Sequence, residues 1–198
     1  MILWENVAYL VADAQRAEAF DILRRRVGTT PGAIRAAKTA DLLAVAERGG
    51  MRPMDRVARL RTIADLAIEE CDGDLRDIVR RPPAEAKRIL RKFPSIGEPS
   101  AEKILMTAAG APILALESNG LRVLVRVGFA AEKKSYAATY RAVQEAIATQ
   151  LPSRAPERVA AHALLRQHGQ TLCKTTRPAC PACPLAGGCA YRAGTLSF

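Results

Sequence analysis

The sequence lacks any long apolar run. Its most continuous hydrophobic stretches, such as Ile113 to Leu116, fall far short of the roughly 20 residues that span a bilayer, so no membrane partner is expected. It opens Met-Ile-Leu-Trp-Glu, without the basic and then apolar segments of a secretory signal. A cytoplasmic, reducing compartment is therefore expected, where disulfide frameworks are rare. No segment alternates apolar and polar residues convincingly enough for a strand. There is no internal repeat and no low-complexity linker. Acidic residues are also scarce: 20 Asp and Glu face 30 Lys and Arg, a formal net charge of +10. Arginine predominates among the cations, and its planar fork suits phosphate, so a polyanionic partner is expected. A basic charge also serves solubility alone, and charge by itself does not separate the two.

What the sequence does contain is helical periodicity. The 198 residues are 49% hydrophobic and 25% charged, enough for one or two compact lobes. A first helix is predicted over Leu3–Ala19, with Leu3, Val7, Leu10, Val11 and Ala14 on one face, and a second over Ala19–Val27. Thr30-Pro31 is a helix entry with Thr as cap and Pro in the first turn, and Thr39 begins another short helix. Further helices are expected over Asp55–Glu70, Leu75–Val79, Pro83–Lys92, Gly120–Gly128, Ser135–Leu151 and Pro156–His168. In the helix after Ser135, Tyr136, Tyr140, Val143, Ile147 and Leu151 are expected to face inward. The fold class is all-α, with an irregular tail after Leu172.

Two features point to chemistry. The stretch Phe93–Glu117 reads as a tight turn, Pro94-Ser95-Ile96-Gly97, that opens a helix running to about Ala109 and then delivers one carboxylate, Glu117. Backbone N–H groups at such a helix start make an anion site. In the tail, Cys173, Cys180, Cys183 and Cys189 follow a C-x6-C-x2-C-x5-C spacing. Four clustered thiolates call for a metal; tetrahedral zinc and an iron–sulfur cluster both accept four sulfurs, and spacing alone leaves both open. Cys71 stands apart and reads as a small buried hydrophobe.

These residues together resemble the helix-hairpin-helix DNA glycosylases of the endonuclease III type, over nearly the whole chain. Phe93-Pro94-Ser95-Ile96-Gly97 resembles the family hairpin Leu-Pro-Gly-x-Gly, and His168-Gly169 before Cys173 also matches. The resemblance implies a two-lobed fold: a six-helix barrel over residues 1–111, with the hairpin motif at about 84–110, and a cluster-bearing lobe over residues 112–198. It assigns a 4Fe–4S cluster to the four tail cysteines and a monovalent cation to the hairpin carbonyls. Double-stranded DNA is the implied partner, kinked across a cleft and gripped by the Ser95, Ile96 and Gly97 turn. Lys174 and Arg177 lie in the basic loop that follows the backbone. Ala14-Gln15 resembles the Ser-Ala-Gln whose Gln is placed at the extruded nucleotide. Gly50-Met51, followed by Arg52, resembles the loop that wedges into the duplex. The chain begins close to the family's barrel, so the N-terminal helix that normally joins the cluster lobe is expected to be missing. A monomer associated with the nucleoid is expected.

The departures from the family pattern decide the expected chemistry. Where bifunctional members carry a Schiff-base lysine, this chain has Pro99, so lyase action by that route is not expected. The family's catalytic Asp corresponds to Glu117, whose carboxylate lies one methylene further out, about 1.5 Å. Ser95 stands where a glycine would supply positive φ. Glu117 also has a plain reading as a solvated or helix-capping residue, although Ser118 and Asn119 are better caps by type. Gln15 reads equally as a surface amide, and Met51 as a core residue. His162 and His168 are expected to pack near the cluster lobe. Arg52, Arg56, Arg59 and Arg61 are expected to divide between solvent and phosphate. Two functions of different class follow: a monofunctional DNA glycosylase that hydrolyses the N-glycosidic bond of a flipped-out damaged or mismatched base, or a catalytically inactive DNA-binding homologue.

Overall fold

A computed structural model describes residues 1–194, and every regular element among them is helical. The chain divides into two compact units, Met1–Leu105 and Met106–Phe198, the last four residues lying outside the described part. The division falls within a helix. No helix among the described residues is long and apolar enough to cross a membrane.

Unit one opens with α1 (Ile2–Asn6) and α2 (Asp13–Arg26), followed by α3 (Pro31–Ala36), α4 (Thr39–Arg48) and α5 (Pro53–Cys71). The short α6 (Arg76–Arg80) leads to α7 (Pro83–Leu90), a turn, and α8 (Glu98–Ala109). The Thr30 hydroxyl accepts from the Ala33 N–H at 3.3 Å to cap α3, with Pro31 in the first turn, as its residue types dictate. Helix α5 packs against α1, α3 and α4, and its Leu60, Ile63, Ala64 and Ala67 are buried at helical spacing. An edge-on pair between Trp4 and Phe20, 5.4 Å between centroids, joins α1 to α2.

The single helix expected over Leu3–Ala19 is instead broken at Val7–Ala12. A tertiary partner takes the backbone there: the Tyr9 N–H donates to the Gly49 carbonyl at 3.0 Å. Gly49 allows this close crossing, because a Cβ on it would lie 2.1 Å from the Val7 carbonyl oxygen. Leu10 consequently adopts φ +53° and is 75% exposed, and Ala14 is exposed as well.

In unit two, α9 (Ser118–Val127), α10 (Tyr136–Ile147) and α11 (Ala155–Thr171) are followed by short helical turns and α12 (Ala190–Ala193). Helices α10, α11 and α12 all pack on α9. Leu116, Leu121, Leu124, Tyr140, Val143 and Ile147 belong to one buried apolar cluster. Tyr136, expected to face inward, lies at the first position of α10 and is 48% exposed.

Candidate functional site

In unit one the hairpin turn is built on strain. Ser95 has φ +58°, the left-handed conformation that costs a non-glycine residue about 1–2 kcal/mol. Two contacts hold the turn: the Arg59 Nη1 donates to Ser95 Oγ at 3.1 Å, and the buried Asn6 Nδ2 donates to the Pro94 carbonyl at 2.8 Å. The Ile96 N–H donates to the Phe93 carbonyl at 3.2 Å, and the Ile96 side chain is buried. Of the three residues expected to grip DNA, Ser95 and Gly97 are thus exposed, whereas Ile96 anchors the turn from within. Pro99 is the second residue of α8, where its missing N–H costs nothing.

Ser95 shares a cavity of about 580 Å3 with Met51, Arg52, Arg59, Arg16 and Tyr9. Met51 and Tyr9 are 68% and 59% exposed, so a thioether and a phenol ring stand beside three arginines, of which Arg52 is paired with Asp55 at 3.3 Å. Gln15 is not among the residues lining this cavity; its Nε2 donates to the Arg48 carbonyl at 2.9 Å, tying α2 to the end of α4. Arg56 is not a surface cation either. It is 1% exposed, and its guanidinium donates to the carbonyls of Ala46 (2.8 Å), Gly50 (3.2 Å) and Met51 (3.0 Å). It shapes the loop that presents Met51. Arg61 likewise bonds the Arg35 and Ala37 carbonyls.

The carboxylate of unit two is itself the N-cap of α9. Glu117 Oε1 accepts from the Gly120 N–H at 2.9 Å, and Oε2 accepts from Asn119 Nδ2 at 2.8 Å. Neither Ser118 nor Asn119 is the cap, although both are better capping types. The helix N-terminus favours the negative group there, and Glu117 remains half-buried rather than enclosed. Arg122 extends the network, with Nη2 donating to Asn119 Oδ1 and to the Gly169 carbonyl, and Nε to the Cys173 carbonyl, all at 2.8 Å. Gly169 is required by proximity: a Cβ on it would lie 2.6 Å from the Asn119 oxygen. His162 Nδ1 meets the Ala115 carbonyl at 2.7 Å. Burial, then the charge of Glu117, pushes the Tyr136 phenol above its usual range.

All four tail cysteines line one small cavity. Arg126, 8% exposed, reaches them: its Nη1 lies 3.5 Å from Cys173 Sγ and donates to the Lys174 carbonyl at 2.7 Å, while Nη2 donates to the Thr175 carbonyl at 3.0 Å. The Tyr191 ring covers its guanidinium at 4.5 Å, a cation–π contact. His168 Nε2 lies 3.5 Å from Cys183 Sγ, and Cys189 Sγ meets the Arg126 carbonyl at 3.2 Å. Among the described residues no three His, Cys, Asp or Glu side chains are gathered at metal-holding distance. Four thiols facing one cavity, with a guanidinium beside them, nonetheless suit an anionic thiolate-ligated centre. Lys174 and Arg177 are exposed on the intervening loop, Arg177 at φ +52°. The contacts of Arg56, Arg122 and Arg126 carry no signal in residue type: an arginine bound to carbonyls reads like one facing water.

No family model matches the chain. Endonuclease III of Rickettsia felis is 24% identical over 155 residues, which cover 77% of this chain and 68% of that protein. Among solved structures, a trapped endonuclease III–DNA covalent intermediate in an estranged-adenine complex matches with a TM-score of 0.76 at 21% identity, covering 98% of this chain and 84% of that one. A thermostable thymine-DNA glycosylase matches with a TM-score of 0.75 at 16% identity, covering 98% and 83%. The chain has the all-α helix-hairpin-helix glycosylase fold. Within that class its sequence is similar to that of endonuclease III.

Proposed function

We propose that the protein binds double-stranded DNA and acts as a monofunctional DNA glycosylase, without Schiff-base lyase activity. The observation that carries this reading is Glu117: a half-buried carboxylate held at the start of α9 by the Gly120 N–H and Asn119 Nδ2. A carboxylate fixed in this way offers charge to the oxocarbenium-like sugar that forms as a glycosidic bond breaks. The base leaves with the bonding electrons and acquires a proton, and water then adds to C1′ and gives up a proton. On α8, Pro99 has no amine, and Lys103 is ion-paired with Glu5 at 2.5 Å. Hydrolysis rather than imine formation is the chemistry these residues supply.

DNA binding is supported by the fold and by the unit-one cavity, where Arg16, Arg52 and Arg59 surround the exposed Met51 and the Ser95 turn. Arginines there neutralise phosphate, and apolar tips act on base steps. Lys174 and Arg177 add exposed charge in unit two. Cys173, Cys180, Cys183 and Cys189 would hold a 4Fe–4S cluster, which would pin both ends of the loop bearing Lys174 and Arg177, a loop that Arg126 of α9 braces through the Lys174 and Thr175 carbonyls. A monovalent cation at the hairpin would share the Pro94 carbonyl with Asn6.

One observation favours the alternative of a DNA-binding homologue without catalysis: each Glu117 oxygen already accepts a hydrogen bond from its own chain. The two readings separate on incubation with duplexes carrying damaged or mismatched bases, followed by alkali to cleave abasic sites. Strand breaks that require alkali support the monofunctional glycosylase. Breaks before alkali, or a borohydride-trapped adduct, would rule out the absence of lyase chemistry. Salt-sensitive binding with no breaks on any duplex supports the inactive homologue.

A further inference from the structure

Unit two encloses a second cavity, about 600 Å3, between α9, the loop that follows it and the start of α10. This is within the roughly 300–1,000 Å3 of small-molecule sites, and it does not involve the hairpin. Its walls are of three kinds. Leu121 and Val125 supply an apolar wall from α9. Tyr136 supplies an aromatic face, 48% exposed, stacked at 6.2 Å and 26° on the buried Tyr140. Lys133 and Lys134 supply the rim; both are exposed, and neither forms an ion pair among the described residues.

The combination is selective. Arg122 and Arg126 also line the cavity, but they are committed to backbone carbonyls, so the positive charge open to a ligand is that of the two lysines, with the exposed Glu132 carboxylate beside them on the same rim. An inorganic anion would use the lysines and leave the aromatic and apolar walls bare. An uncharged ring would leave the lysines unpaired. A flat ring joined to a phosphate uses all three, because bases stack on aromatic faces without regard to their identity and lysine is a phosphate-seeking point charge. The backing by Tyr140 orients the Tyr136 ring before any ligand arrives, which lowers the ordering cost.

We propose that this cavity receives a nucleotide, its base on the Tyr136 face and its phosphate between Lys133 and Lys134. The same chemistry has two sources: a free nucleoside monophosphate, or one nucleotide of a DNA strand. The second source rests on the DNA-binding reading above; the first does not.

Calorimetric titration of the whole protein with thymidine monophosphate, thymidine and inorganic phosphate tests the free source. The monophosphate is expected to bind more tightly than either fragment. Tyr136→Ala should weaken it about tenfold, within the range that stacking supplies, while Tyr136→Phe leaves it within about twofold because the ring remains. Lys133→Ala/Lys134→Ala should weaken it and flatten its salt dependence. For the strand source, the same variants are titrated with duplex DNA, with Arg59→Ala as a hairpin control. Failure of the free monophosphate, with duplex affinity lowered by both the Tyr136→Ala and the double-lysine variants, assigns the site to a nucleotide within DNA. Loss of duplex binding in the hairpin control, with monophosphate binding intact, supports the free source. Neither ligand responding to Tyr136→Ala overturns the proposal, as does phosphate binding as tightly as the monophosphate. Tyr136, Lys133 and Lys134 are exposed and Arg59 is half-buried, and unchanged helical circular dichroism checks the folding of each variant.

Discussion

The starts of α8 and α9 are both turns followed by helices, and they are built in opposite ways. At α9 the positive helix end is met from within by Glu117. At the turn before α8 the polar side chains are drawn elsewhere: Ser95 Oγ accepts from Arg59, and Glu98 pairs with Lys87 at 3.3 Å. A helix start that carries its own carboxylate holds that carboxylate still, and so can present it to a developing positive charge. A turn with an arginine beside it and no carboxylate on its own N–H groups instead leaves room for an anion from outside. On the proposed function, the same local architecture would serve a cationic transition state in one unit and a phosphate in the other.

The sharpest break of this comparison is Glu117→Gln. Glutamine keeps an oxygen for the Gly120 N–H, so α9 should stay capped and duplex affinity should hold within about twofold. Base release on a processed lesion should fall by about 100-fold or more, as for loss of a transition-state electrostatic partner. Activity surviving in alkali-cleavage assays would remove Glu117 from the chemistry. The next effect is Arg126→Met, which strands the Lys174 and Thr175 carbonyls and the Tyr191 ring. Urea unfolding should show a loss of about 2–3 kcal/mol, and purified protein should carry less iron and sulfide.

Ser95→Gly sharpens the hairpin side. It relieves the left-handed strain and removes the hydroxyl that Arg59 holds. The strain term alone predicts a gain of about 1 kcal/mol in urea unfolding; a loss instead would show that the Arg59 contact dominates. Lys174→Ala/Arg177→Ala should lower the slope of log affinity against log salt by about 0.9 for each phosphate contact removed. An unchanged slope would take this loop off the DNA. The smallest effect concerns Lys87. Burial alone would pull its ammonium down, but the hydrogen bond and charge of Glu102, then those of Glu98, outweigh this and hold it above its usual value. Its stabilisation is therefore complete below the unfolded value near 10.4 and is lost as pH rises through the higher folded value. Lys87→Met should remove that alkaline decline from a series of melting curves.

The all-α class, the cap at Thr30 and the turn–helix arrangement around Gly97 were legible because each follows from local periodicity and residue type. The break after Asn6 was not, since Val7–Ala12 leaves the helix where it crosses Gly49, a contact between residues distant in sequence. The cap role of Glu117 was outranked by better capping types, whose side chains point elsewhere: Asn119 bonds Glu117 and Arg122. Arginine was the least readable residue. Arg56, Arg122 and Arg126 contribute to the same +10 as Arg52 and Arg177, yet they serve as internal braces, and charge counted along a chain does not tell a brace from a surface cation.

Arg122 has one further consequence. An amide side chain can present either end to a neighbour, and Asn119 sits between a carboxylate and a guanidinium. The guanidinium can only donate. It therefore claims the Asn119 oxygen and turns the nitrogen toward Glu117. Arg122 acts as a polariser, fixing the direction of a chain of hydrogen bonds that runs outward from its guanidinium, to the Cys173 carbonyl on one side and through Asn119 to the Glu117 oxygen on the other. With glutamine at 122 the chain would lose its direction, and Asn119 could turn its oxygen against the carboxylate it now supports.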